Sequence, residues 1–253
     1  MKSFNPFAIT EPVYFRVRDD VLVIGIAHDL DSRTNKPAAK KILGAIRSLD
    51  YILTERVGGA AYTEGSYEGY VAQNFKGQFK DLEDGVNRVE LLGSYGVRPD
   101  EYAVLTMLNG CTILSRRGVR DLAFAMMRGF EGLKKLNPEY SRFETRRVFA
   151  QFMELRQFAD SNSGSSLLDK CEFEWQFYKG SVRDEKVIAP NAGNICEQLP
   201  GSKGIILGSG HVEYVVPYLR GEPVPVVLQW TDHVLSLEPE VRHGFEELRR
   251  IVA

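Results

Sequence analysis

The sequence predicts an α/β fold, and three observations carry that prediction. Short apolar runs of strand length recur at Val21–Ile24, Tyr51–Thr54 and Gly204–Leu207. Segments with apolar residues at helical spacing alternate with them, as in Lys36–Leu49. Two of the runs feed the same local pattern, a Gly-x-x-His turn. It reads Gly25-Ile26-Ala27-His28 after the first run and Gly208-Ser209-Gly210-His211 after the last.

The elements follow in order. Tyr14–Arg18 and Val21–Ile24 read as two strands joined by the polar turn Asp19-Asp20. In Lys36–Leu49, the residues Ala39, Ile42, Leu43, Ile46 and Leu49 share one helical face, with Asn35 as cap and Pro37 in the first turn. Tyr51–Thr54 is a short buried-type strand that ends at Glu55. Strand, helix and strand form a βαβ unit with parallel strands and a right-handed crossover. A second βαβ-like unit is read near the C-terminus. It comprises the strand Gly204–Leu207, the helix His211–Leu219, and a strand Pro223–Leu228 held near a sheet edge by its prolines. Two such units call for a mainly parallel or mixed sheet.

Between the units, from about residue 60 to about 180, the chain reads as a mostly helical insertion or lid within a single domain spanning 1–253. Leu82–Tyr95, Glu101–Leu114 and Ser141–Ala159 carry apolar stripes. Asp160–Ser166 reads as a polar loop, and residues 57–70 as a loop rich in glycine and tyrosine. Residues 116–147 hold nine Arg and Lys against four Asp and Glu, a solvated helix face or a surface for an acidic partner.

Composition narrows the class. The 253 residues are 43% hydrophobic and 26% charged, ordinary for a soluble globular protein. A net charge of −2 gives no general attraction to nucleic acid or to membranes. The first residues lack the apolar core of a signal peptide, and no run reaches the 18 or so apolar residues of a membrane span. Cys111, Cys171 and Cys196 form no CxxC pair, which points to free thiols and a cytoplasmic protein. P-loop, HExxH and GxSxG motifs are missing, as are nucleic-acid modules. Gly208-Ser209-Gly210 begins like a dinucleotide fingerprint, but Glu213 stands at the third glycine position.

The candidate site follows from strand ends. Parallel α/β sheets place their sites where the carboxyl ends of strands, turns and helix N-termini converge. Gly25–His28, Glu55 and Gly208–His211 all fall at such ends. His28, Glu55 and His211 are therefore candidate metal ligands with an open position for water. The same two histidines also suit a metal-free site, one as general base and the other protonating or binding the developing oxyanion. Arg183 is the candidate clamp for negative charge, and Asp184 beside it reads as a helix N-cap. Arg56 is an alternative ion-pair partner for Glu55. His233 reads as following a strand, and His243 as solvated on a C-terminal helix.

In order, the segments VIGIAH, LTER, RDEKVIAPNAGNI and GIILGSGHVEYVVPYL resemble the TraB/TIKI superfamily, with erythromycin esterases and haem-binding ChaN proteins as distant relatives. The match lies on His28, Glu55, Arg183-Asp184 and His211, with Ser32 at a position where the family often has serine. Ile26 replaces the threonine usual in the first motif, and Asp184 an asparagine. The resemblance implies a three-layer α/β/α core with the site between the two Gly-x-x-His turns. It implies hydrolysis of a peptide, dependent on a divalent metal such as Mn, Co or Zn. In the esterase relatives it implies hydrolysis of a small ester that needs no metal. TraB members are linked to shutting down peptide signals. The non-catalytic alternatives are ligand binding, with haem as the ligand and Tyr62 or Tyr67 nearby, and partner binding through the basic segment 116–147.

Overall fold

The computed structural model describes residues 11–26, 36–55, 67–83, 85–98, 101–102, 105, 150, 153–154, 157 and 164–252. The chain divides into two compact units, Met1–Val86 with Ser181–Val226, and Asn87–Gly180 with Val227–Ala253.

The first unit is the α/β core. Its strands are β1 (Val13–Arg18), β2 (Val21–Ile26), β3 (Tyr51–Thr54), β4 (Gln78–Asp81) and β5 (Lys203–Gly208). They form one mixed sheet in the order β1-β2-β5-β3-β4. β1 pairs antiparallel with β2, and the other four strands run parallel. β5 comes last in sequence but lies at the centre, in register with both β2 and β3. All six of its residues are buried, as are all six of β2. Strands covered on both faces read as continuous apolar runs, which is why VLVIGI and GIILG stand out in the sequence.

The two covers lie on opposite faces. Leu22, Ile24 and Ile26 of β2 join Ile52 and Ile206 in one apolar cluster with Ala38, Ala39, Ile42 and Ile46 of α1 (Lys36–Ile46) and with Val71 of α2 (Tyr67–Asn74). Side chains alternate along a strand, so Gly25 points to the other face. There an added Cβ would lie 2.8 Å from Val212, the first residue of the helix Val212–Leu219. The core is thus three-layered, helix over sheet over helix.

Two βαβ units are present, but the second differs from the one expected. It is β3-α2-β4, inside the stretch read as the helical insertion, with β3 and β4 parallel. No strand forms at Pro223–Leu228, where the chain is irregular and mostly exposed. Two prolines in six residues remove ladder amides, and Val226 is 81% exposed.

The second unit contains α3 (Arg88–Ser94), residues up to Gly180 of α4 (Gly164–Arg183), and two C-terminal helices described below. α3 is shorter than the expected Leu82–Tyr95. Asn87 caps it by accepting the amides of Val89 and Glu90, which fixes the start at Arg88. α4 begins at Gly164, so the last part of the expected loop Asp160–Ser166 is helical. The helices Glu101–Leu114 and Ser141–Ala159, residues 57–66 of the expected loop 57–70 and the basic segment 116–147 lie wholly or mainly outside the described residues, and Tyr67–Tyr70 at the end of that loop are instead helical, in α2. No helix among the described residues is long and apolar enough to cross a membrane.

Candidate functional site

Four parallel strands end on one edge of the sheet. Ile26 is in register with Gly208, Thr54 with Ile206, and Asp81 with Thr54. The residues just past those ends form the candidate site. Glu55 follows β3 directly, and Glu83 comes two residues after β4. After β5, a 3-10 turn (Ser209–His211) presents His211 at the head of the helix Val212–Leu219. Arg183 and Asp184 arrive from the end of α4.

Three of the four residues expected from the sequence come together. Arg183 Nη2 donates to Glu55 Oε2 at 2.8 Å and lies 3.3 Å from His211 Nε2. His211 Nε2 is also 3.3 Å from Glu55 Oε2. Glu55 Oε1 accepts the Gly208 amide at 2.7 Å. The fourth residue, His28, lies outside the described residues; its strand leaves the sheet at Ile26, level with Gly208.

Two further residues belong to the cluster. Asp184 Oδ1 is 2.5 Å from His211 Nδ1, and Glu83 Oε1 is 2.7 Å from Arg183 Nε. Asp184 is not the N-cap expected from the sequence. The helix does not start there, because α4 passes through it into a π-helical turn, Asp184–Ile188. Its carboxylate is buried and serves the imidazole. Nothing in the local sequence of Glu83 marks it as a site residue. Only the parallel pairing of β4 with β3 carries it to this edge.

The electrostatics follow from burial among charges. Burial would lower the His211 pKa, but Glu55 and Asp184 outweigh it and push the imidazole up to about 9. His211 is therefore an imidazolium at neutral pH. Burial raises the Asp184 carboxyl above its ordinary range, against the pull of His211 and Arg183. Burial and the nearby Asp184 also raise Glu213.

The turn after β5 already has an anion beside it, since Glu55 takes the amide of Gly208, the last residue of the strand. A phosphate at that turn would meet the Glu55 carboxylate, which agrees with the broken dinucleotide fingerprint. Among the described residues no group of three His, Cys, Asp or Glu side chains is arranged to hold a metal. Of the two described members of the expected metal set, Glu55 takes the Arg183 guanidinium, and His211 Nε2 lies 3.3 Å from both.

The remaining candidates fall elsewhere. His233 lies on a helix (Trp230–Ser236), not after a strand. It stacks on Trp230 at 5.8 Å and sits 4.7 Å from the Tyr178 ring, and burial lowers its pKa. His243 is exposed on the last helix (Pro239–Val252). Cys171 and Cys196 are free and buried, and burial pushes the Cys171 thiol up to about 12.

No protein-family model matches the chain, and neither a curated protein nor a solved structure matches it.

Proposed function

We propose that the chain is a hydrolase of the TraB/TIKI type that cleaves an ester or peptide bond by metal-independent acid–base chemistry. The observation that carries this reading is the grip on His211. Asp184 holds Nδ1, and Nε2 faces Arg183 and Glu55. A carboxylate on Nδ1 fixes the tautomer and orientation of the ring and stabilises its charged form. The charged ring then acts as the acid, giving its Nε2 proton to the leaving group. Arg183 supports the negative charge that develops on the attacked carbonyl oxygen. Glu55 is an organiser in this scheme, because both its oxygens are engaged. The base that draws a proton from water is His28, from the other Gly-x-x-His turn. The ordered motifs that resemble those of the superfamily support the reaction class, and the reading includes a cytoplasmic protein acting on a peptide or small ester.

The test is a panel of ester and peptide substrates, with and without a chelator, on the native protein and on His28→Gln, His211→Gln and Asp184→Asn. The expected result is hydrolysis that survives the chelator and declines above pH about 9 as His211 loses its proton. Each histidine variant loses at least ~100-fold, the usual weight of one acid or base. Hydrolysis unchanged in His211→Gln sinks the proposal. Activity lost with the chelator and restored by Mn²⁺, Co²⁺ or Zn²⁺ replaces it with the metal-dependent peptidase. No hydrolysis at all, with a Soret band on adding haem, replaces it with a binding role.

A further inference from the structure

α4 does not stop at the site. It continues through the π-helical turn Asp184–Ile188 into α5 (Ala189–Gln198). The Ala189 amide bonds the Asp184 carbonyl, five residues back instead of four. Such turns are rare and hold one residue more than an α-helical turn. Pro190 follows at once. It has no amide proton, and in a continuous α-helix its ring would collide with the carbonyl four residues back, that of Lys186. A wider turn relieves that collision without breaking the helix.

The widening begins where the site needs it. Side chains of adjacent residues fan out by about 100° on an α-helix. Yet Arg183 and Asp184, adjacent in sequence, reach two sides of one imidazole. Arg183 is still ordinary α-helix, at φ −63° and ψ −41°, and Asp184 is the first residue of the wide turn, so the turn's width acts on the aspartate's side of the pair. Beyond the proline, Asn191 Nδ2 donates to the Leu82 carbonyl at 2.8 Å. That bond ties the start of α5 to the chain beside Glu83, which in turn pairs with Arg183. The wide turn is thus held between two anchors, His211 on one side and Leu82 on the other.

We infer that Pro190 is a positioning residue, whose ring keeps Asp184–Ile188 in the wide form that sets Asp184 against His211 Nδ1, while Arg183, in the helix before it, reaches Nε2. Its importance for turnover rests on the acid role proposed for His211; its test reads a hydrogen bond and not turnover. The two ideas therefore fail separately.

The variant is Pro190→Ala in the full chain. Alanine is the better helix former, so it invites an ordinary α-helical turn. The readout is the proton between His211 Nδ1 and Asp184, seen as a far-downfield line in the proton NMR spectrum. Its loss in His211→Gln and in Asp184→Asn assigns it. The expected result is a folded variant, by circular dichroism, whose downfield line is lost or moved upfield. Deleting Lys186 removes the extra residue and keeps the proline, and the same loss is expected. A merely structural proline would change the melting temperature and leave the line in place. That outcome, in either variant, overturns the inference. Absence of the line from the native protein overturns it too, because the bond to be positioned is then missing.

Discussion

Glu55, at the end of β3, reaches the backbone at the end of β5, where its Oε1 accepts the Gly208 amide at 2.7 Å. Its other oxygen takes Arg183 at 2.8 Å. One carboxylate thus ties a strand end, a turn and a helix end to the same point. Glu55→Gln keeps an oxygen for Gly208 but loses the charge facing Arg183 and His211. It is expected to lower unfolding free energy by roughly 1.5–3 kcal/mol, the range for a charged hydrogen bond. Glu55→Ala also strips the Gly208 amide of its partner and is expected to cost about 1 kcal/mol more. Urea unfolding of the two variants measures this. Variants as stable as the native chain would show that the carboxylate organises nothing.

The His211 imidazole gives the fold a pH dependence of defined sign. Its pKa stands at about 9 in the folded chain against 6.5 for the ordinary group. The folded state therefore binds the proton more tightly. The stability it contributes is fully present below about pH 6.5 and is lost as the pH rises through about 9. The shift corresponds to about 3 kcal/mol. Asp184, also raised, acts with the same sign at lower pH. Urea midpoints at pH 6.5, 8 and 9.5 are expected to fall in that order for the native chain. His211→Gln is expected to flatten the trend. A midpoint that rises over this range would contradict the assignment.

The core was legible where two faces of a strand are buried, because VLVIGI and GIILG can be little else than central parallel strands. β4 was not legible. Its sequence, QFKD, is polar because it pairs with β3 at the sheet edge and is never fully buried. Missing β4 also meant missing Glu83, whose place in the site depends on that strand. Local pattern found Arg183, Glu55 and His211, since each stands at a strand or helix end. It misjudged Asp184, because a residue before a short helical run looks like a cap. The π-turn that carries the helix through Asp184 has no sequence period of its own, and Pro190 read as a breaker. Pro223–Leu228 has strand-like apolar residues, but nothing in the sequence says that they stay mostly exposed and form no strand.

The glycines of the two Gly-x-x-His turns make different demands. A Cβ on Gly25 would lie 2.8 Å from both Val13 Cγ2 and Val212 Cγ2, with the sheet on one side and a helix on the other. A Cβ on Gly210 would meet nothing within 4 Å. Gly25→Ala is therefore expected to destabilise by about 1–3 kcal/mol through overpacking. Gly210→Ala is expected to stay within about 0.5 kcal/mol of the native chain. Thermal unfolding of the two variants side by side tests the contrast. Equal melting temperatures would mean that the helix Val212–Leu219 can move off β2 at no cost.

Lys203 opens the central strand and is buried, with its ammonium 2.7 Å from Asp20 Oδ2. The aspartate itself is partly exposed, and the hydrogen bond to Lys203 holds its carboxyl below the usual range. The two ends of this pair are thus unequal. Asp20→Ala leaves the lysine buried without its carboxylate and is expected to cost roughly 2–3 kcal/mol, less than a fully buried pair because water reaches the aspartate. Lys203→Met removes the buried charge and keeps most of the volume. Its expected cost is within about 1 kcal/mol, since burying a charge is itself unfavourable. Urea unfolding of both single variants and of the double variant decides the matter. If Lys203→Met proves the more damaging of the two, the ammonium is needed at the start of β5 for more than its partner.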